Sequence, residues 1–257
     1  SKAAYSNSNY VLLSYILEKV YNDSYGAILQ KNIIKPINLK NTYLGKAIQV
    51  QNNEVKSYYY SDGWKLESET DLSIPLGAGA IVSNPKDLIL FSEALFEGKL
   101  LQPSSLEIMK SIKDSYGSGL FKFPFQDKEA YGHTGGIDGF SSIFTYFDSD
   151  KVTYAMTSNG ANTNTNSLSL VVLSEVFGIP YEIPEFTTYE VRSEDLDVYL
   201  GNYSSAQLPI KITITKNGTT LVAQATGQST ISLEATKKDV FSFEMAGIVL
   251  EFNPAEK

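Results

Sequence analysis

Asn217-Gly218 stands between two runs that alternate apolar with polar residues, and few folds accommodate that arrangement. On one side Ile210, Ile212 and Ile214 alternate with Lys211, Thr213 and Thr215. On the other, Leu221, Ala223 and Ala225 keep the same period. A period of two puts one set of side chains on one face of a strand. Asn-Gly between such runs signals a two-residue hairpin turn, because both residues tolerate positive φ. Two more short strands are expected around 240–243 and 248–252, so residues 196–257 read as a small antiparallel β-domain.

The preceding residues follow other periods. Val11, Leu12, Tyr15, Ile16 and Val20 recur at helical spacing after the polar run Ser6-Asn7-Ser8-Asn9. Asp23-Ser24 opens a second helix over 25–34, which Pro36 ends. Residues 46–76 show no clean period and read as a long loop. The turn Leu76-Gly77-Ala78-Gly79-Ala80 leads into a helix with Asn84 as N-cap, Pro85 at its first position, Asp87 in its first turn and Gly98 as its stop. Pro103 opens a further helix through Ile112. From Tyr116 onward, 119–123, 141–147 and 152–158 read as strands, the last two joined by Asp148-Ser149-Asp150. Residues 168–177 return to helix, ending at Gly178 and Pro180. The expected organisation is a domain over 1–180, a linker over 181–195 and the β-domain over 196–257.

Composition removes several functional classes. The 257-residue chain has a net charge of −8, and Arg192 is its one arginine, which argues against nucleic acid as a partner. With no cysteine and one histidine, metal ligands reduce to carboxylates, so a metal enzyme is a poor reading and no cofactor is expected. The richest apolar stretches, Tyr10–Leu17 and Leu168–Phe177, are well short of the roughly 20 residues that span a bilayer, so no membrane span is expected.

Two short motifs could carry chemistry. His133 stands in Tyr131-Gly132-His133-Thr134-Gly135-Gly136. A lone histidine is usually structural, but paired glycines let a ligand approach the backbone, and free N–H groups there can serve an oxyanion. Tyr5-Ser6-Asn7 precedes the first helix; taken alone, Ser and Asn there are capping residues and Tyr5 a hydrophobic staple.

Taken together, the two motifs resemble those of the serine β-lactamase and DD-peptidase superfamily, most closely its class C-like serine hydrolase branch. Tyr5–Leu13 is similar to that family's second motif and its helix, and Ile33–Thr42 to the segment that follows. Gly77–Ser83 and His133–Phe140 complete a likeness that runs over about 5–178. Tyr199-Leu200-Gly201-Asn202-Tyr203 and Ala223–Gln228 resemble a lipocalin-like β-domain appended to such hydrolases.

The resemblance implies an α+β fold of the β-lactamase/transpeptidase type, in which helices flank an antiparallel sheet. It also implies roles. Tyr5 would relay protons, Asn7 would hydrogen-bond the acyl side-chain amide, and Thr134 and Gly135 would meet the substrate. The Gly136 N–H would be one half of the oxyanion hole, and His133 takes a position usually held by lysine. The family's nucleophile lies in a Ser-x-x-Lys motif ahead of the tyrosine. The one match here, Ser83-Asn84-Pro85-Lys86, follows Tyr5 and reads as a helix start.

The expectation is therefore the C-terminal part of a serine acyl hydrolase (esterase, D-aminopeptidase or DD-peptidase-like), periplasmic or extracellular. Its expected partners are a small-molecule or peptide acyl substrate, the missing N-terminal segment, and further copies of itself in a homo-oligomer. The competing reading is a noncatalytic peptide- or glycan-binding module.

Overall fold

The computed structural model describes residues 5–61, 63–113, 116–183, 189–205, 208–228, 230–243 and 248–254. The chain divides into two compact units, Ser1–Gly160 and Ala161–Lys257.

The first unit opens with helix α1 (Asn7–Tyr21), entered from extended Ser6 and closed at Asn22 in the left-handed region, φ 49°. Ser6 holds the capping position, but its hydroxyl makes no capping bond. Helix α2 (Tyr25–Leu29) does have its cap: Ser24 Oγ accepts from the Ala27 N–H at 3.3 Å. The single helix expected over 25–34 is instead α2 followed by a π-helical turn, Gln30–Ile34. These turns bury Leu29 and Ile34 against Leu39.

Strand β1 (Tyr43–Leu44) pairs later in the chain with Ile81–Val82. The stretch expected as loop contains a small antiparallel hairpin, β2 (Tyr58–Tyr60) and β3 (Trp64–Leu66). Strands of three residues are too short for alternation to show in a sequence. After β4 (Ile81–Val82) comes α3 (Pro85–Phe96), where Asn84 Oδ1 accepts from the Asp87 N–H at 2.9 Å. Helix α4 (Pro103–Lys110) ends two residues earlier than the sequence indicates.

A four-stranded antiparallel sheet follows in the order β5 (Phe121–Phe125), β6 (Lys128–Ile137), β7 (Phe140–Phe147) and β8 (Val152–Ser158). Phe96 of α3 stacks on Tyr146 of β7 at 4.7 Å, within a core that includes Leu95, Leu106 and Leu120. The strands expected from the sequence left out 128–137, which contains the paired glycines Gly135 and Gly136. They lie inside β6, where β7 crowds the positions of Gly132 and Gly135. A Cβ at Gly132 would lie 1.9 Å from the Phe144 carbonyl oxygen, and one at Gly135 would lie 2.5 Å from Ser142 Oγ.

In the second unit, helix α5 (Thr165–Phe177) starts from an Asn164 cap and stops at Gly178, φ 65°. A seven-residue 3₁₀ helix (Ser193–Tyr199) begins at the end of the expected linker, of which 184–188 lie outside the described residues. A six-stranded antiparallel meander follows: β9 (Gly201–Ser205), β10 (Leu208–Asn217), β11 (Thr220–Ala225), β12 (Ile231–Lys237), β13 (Val240–Phe243) and β14 (Ile248–Glu251). Inward positions of the alternating runs, among them Ile214, Leu221 and Ala223, join Leu196, Leu233 and Phe241 in one core. The β10–β11 hairpin forms with a shifted turn. Asn217 pairs with Thr220, so Gly218-Thr219 make the turn, and only Gly218 takes positive φ, 61°. Glycine at the first central position is the pattern of a type II′ turn. Among the described residues, no helix is long and apolar enough to cross a membrane.

Candidate active site

The edge of β6 is where the site begins. Two-residue turns close both β5–β6 (Phe125 opposite Lys128) and β6–β7 (Ile137 opposite Phe140). In an antiparallel ladder the direction of backbone hydrogen bonding alternates along a strand. Odd-numbered residues of β6 therefore bond toward β7, and even-numbered ones toward β5. Strand β5 starts at Phe121, opposite Gly132, so nothing in the sheet covers the amides of Thr134 and Gly136. Among the described residues no group accepts from the Gly136 N–H. A Cβ at Gly136 would meet only the Phe140 carbonyl oxygen, at 3.9 Å, which leaves that backbone open to a ligand.

The N-terminal end of α1 brings Tyr5 to this edge. The Tyr5 and His133 rings are 6.2 Å apart, centroid to centroid. Phe121 stacks on His133 at 4.1 Å and 28°, while Tyr116 stacks on Tyr5 at 5.8 Å. His133 Nδ1 donates to the Thr134 carbonyl; a carbonyl can only accept, so Nδ1 carries the proton and a neutral ring presents Nε2 as an acceptor. Gly77 sets the distance between α1 and the glycine-rich turn, since a Cβ there would lie 2.7 Å from the Tyr10 carbonyl oxygen and 2.9 Å from Ser14 Cβ.

Partial burial, and then the neighbouring Tyr10 and Tyr116 phenols, hold the Tyr5 hydroxyl above its ordinary pKa. No cation is among the groups that act on it. Alone, this phenol is a proton donor at neutral pH, and it needs a nearby positive charge to work as a base.

Among the expected site residues, Tyr5, His133, Thr134, Gly135 and Gly136 share this one edge. Asn7 is the first residue of α1 and exposed, and among the described residues no hydrogen bond joins it to the others. Phe121 and Tyr116, which fix the two rings, were not picked out from the sequence. Their signal is only that they flank Gly117-Ser118-Gly119. Ser83 of the lone Ser-x-x-Lys match shares its hydroxyl with Thr42 Oγ1 at 2.8 Å, beside buried Asp87. Among the described residues no cluster of carboxylates and histidine could hold a metal ion.

A family model described as Beta-lactamase matches residues 1–171. A putative penicillin-binding protein, PbpX of Bacillus subtilis (strain 168), is 29% identical over 167 residues, covering 62% of this chain and 40% of that protein. A D-stereospecific amidohydrolase from Streptomyces sp. superposes with a TM-score of 0.58 at 29% identity, covering 70% of this chain and 56% of that one. The octameric penicillin-binding protein homologue from Pyrococcus abyssi superposes with a TM-score of 0.61 at 21% identity, covering 99% of this chain and 62% of that one, a likeness of fold. The chain thus spans about half the length of the proteins it matches.

Proposed function

Because the chain belongs to the Beta-lactamase family, we propose that it carries the proton-relay and oxyanion part of a serine acyl hydrolase. The approach of Tyr5 to His133, 6.2 Å between centroids along the open edge of β6, is the observation that carries the reading. Tyr5 handles the proton, Asn7 holds the acyl side-chain amide, and His133, Thr134 and Gly135 border the substrate. The Gly136 N–H then points at the position of the developing oxyanion.

The serine and its lysine come from a Ser-x-x-Lys segment that is not among residues 1–257. Its hydroxyl attacks the acyl carbonyl, and its proton passes through the phenolate form of Tyr5 to the leaving group. Water then releases the acid by the reverse transfer. The lysine supplies the positive charge that Tyr5 lacks here, and so lowers the phenol into a useful range. Esters, D-aminoacyl amides and peptides ending in a D-residue are the substrate classes. Such a hydrolase works outside the cytoplasm, as do enzymes of cell-wall peptides.

Helix α1 supports a partner along its length. Leu12, Ile16 and Val20 are 59%, 54% and 72% exposed at successive four-residue steps, an apolar stripe that suits the missing segment or a second copy of the chain. Adding a Ser-x-x-Lys segment of a relative to the chain, and following p-nitrophenyl ester hydrolysis, tests the reading. Turnover that needs both parts supports it, and no turnover from the refolded pair contradicts it.

A second reading, the noncatalytic peptide- or glycan-binding module, draws on the raised phenol of Tyr5. It predicts ligand binding with no acyl-enzyme under any complementation.

A further inference from the structure

Asn-Gly occurs twice in the chain, at Asn217-Gly218 and at Asn159-Gly160, and the fold holds the two steps differently. A backbone nitrogen can attack the side-chain amide of the asparagine before it, and a following glycine has no Cβ to obstruct the approach. The attack needs a free nitrogen, a free side-chain amide and a backbone loose enough to bring them together.

At Asn217 all of these are present. Asn217, Gly218 and Thr219 are exposed at the tip of the β10–β11 hairpin. Among the described residues no hydrogen bond engages the Asn217 side chain or the Gly218 N–H. A Cβ at Gly218 would meet nothing within 4 Å. Only the pair Asn217–Thr220 closes the turn, so fraying at the hairpin tip lets the amide carbon reach the Gly218 nitrogen. Such fraying costs far less than opening a packed strand.

At Asn159 none of them is present. Its Nδ2 donates to the Lys56 carbonyl at 2.9 Å, its carbonyl accepts from the Tyr58 N–H at 2.8 Å, and the Gly160 N–H donates to Ser158 Oγ at 3.3 Å. A Cβ at Gly160 would lie 2.8 Å from a ring carbon of Trp64 and 2.9 Å from the Tyr58 carbonyl oxygen. One at Gly139 would lie 2.5 Å from that same oxygen, so β2 is clamped between two glycines.

We propose that Asn217 is a site of self-modification, where the chain converts its own asparagine to isoaspartate and aspartate, while the fold protects Asn159. The Gly218 nitrogen bonds to Asn217 Cγ, the Cγ–Nδ2 bond breaks, and Nδ2 leaves as ammonia with the proton that the Gly218 nitrogen gives up. Water then opens the cyclic imide. Opening at Cγ gives aspartate, and opening at the backbone carbonyl gives isoaspartate. Either product adds a negative charge to a chain of net charge −8. Isoaspartate also inserts a carbon into the backbone at the pair that closes β10–β11, one pair away from buried Leu221. The reaction uses no part of the candidate active site, so it stands apart from the function proposed above.

The full chain is incubated in mildly alkaline buffer, folded or in guanidinium chloride, then digested with trypsin and followed by liquid chromatography with mass spectrometry. The tryptic peptide from Asn217 to Lys237 contains no other asparagine, so its deamidated forms report on one site. Fragment spectra assign position 159 in the other peptide. In the folded chain Asn217 should convert within about tenfold of its rate in guanidinium chloride, and Asn159 at least about a hundredfold more slowly than there. In guanidinium chloride the two steps should convert at similar rates, which shows that the difference belongs to the fold. Circular dichroism before and after incubation confirms that the folded sample stays folded. A folded-state slowing as large at Asn217 as at Asn159 overturns the proposal, as does faster conversion at Asn159 or an Asn217 that stays intact while the unfolded sample converts.

Discussion

The Tyr5 ring lies 6.2 Å from the His133 ring at an interplanar angle of 39°, although 127 residues separate the two in sequence. Phe121 and Tyr116 hold the pair, one ring on each. Removing the Phe121 ring should therefore loosen the site without touching its polar groups. Phe121→Ala is expected to lower ester turnover in the complemented protein about tenfold or more, mainly in kcat, since misplacement of reacting groups is costly. Unchanged kcat would mean that β6 alone sets the His133 position.

In the complemented protein Tyr5→Phe should cost about 10²–10⁴-fold in kcat, with KM nearly unchanged, because the ring still packs on Tyr116 while the proton-transfer group is gone. His133→Ala should shift both constants, since that ring borders the open edge of β6. Steady-state kinetics on a neutral ester and a D-residue peptide separate the two patterns. If Tyr5→Phe leaves kcat unchanged on both, Tyr5 only guides the chain into α1.

Asp87 ties the start of α3 to the segment ahead of β1. It is 1% exposed, and its Oδ2 accepts from the Asn41 N–H at 2.7 Å and the Thr42 hydroxyl at 2.9 Å. Asp87→Ala strands both donors and removes a negative charge from the first turn of α3. The loss should be about 3 kcal/mol of unfolding free energy. Urea melts read it directly.

Stability at alkaline pH should depend on Tyr199. Burial, and then its hydrogen bond to Asp239 at 2.6 Å, push its hydroxyl up to about 12. An unfolded tyrosine ionises near 10, so the fold favours the protonated form. That contribution is complete below pH 10 and is lost as the pH rises through 10 to 12. Absorbance at 295 nm should show a late tyrosine, and Asp239→Asn should bring it earlier.

The apolar stripe on α1 predicts association. The chain alone should bind a hydrophobic dye or form oligomers, and Leu12→Glu with Ile16→Glu should suppress both while keeping helix content. A compact monomer without dye binding would show that the stripe is only surface.

Where periodicity was long, sequence and structure agree: α1, α3 and the β10–β11 pair stand where their patterns put them. The Asn-Gly signal located the hairpin but misplaced its turn by one residue, because the pairing of Asn217 with Thr220 outweighed the local preference. The full length of β6 was hidden because Gly132, Gly135 and Gly136 interrupt the apolar-polar alternation of a strand. Their meaning lies in β7 and in the open edge, which no local pattern contains. Hairpin β2–β3 was missed for a related reason, as its anchors Gly139 and Gly160 are about 80–100 residues away in sequence. Tyr5 and His133 were legible as motifs; the aromatic packing that joins them was not.

Intact-mass analysis after treatment with a fluorophosphonate is the most direct test of the central claim, that this chain supplies the relay and oxyanion groups and a separate Ser-x-x-Lys segment supplies the nucleophile. The chain alone should stay unlabelled, because the Ser83 hydroxyl is bonded to Thr42 and the Tyr5 phenol is held protonated. With the segment added, one adduct should appear on the segment's serine, and Tyr5→Phe should slow its formation. An adduct on Ser83 or any other residue of the chain alone would contradict the account.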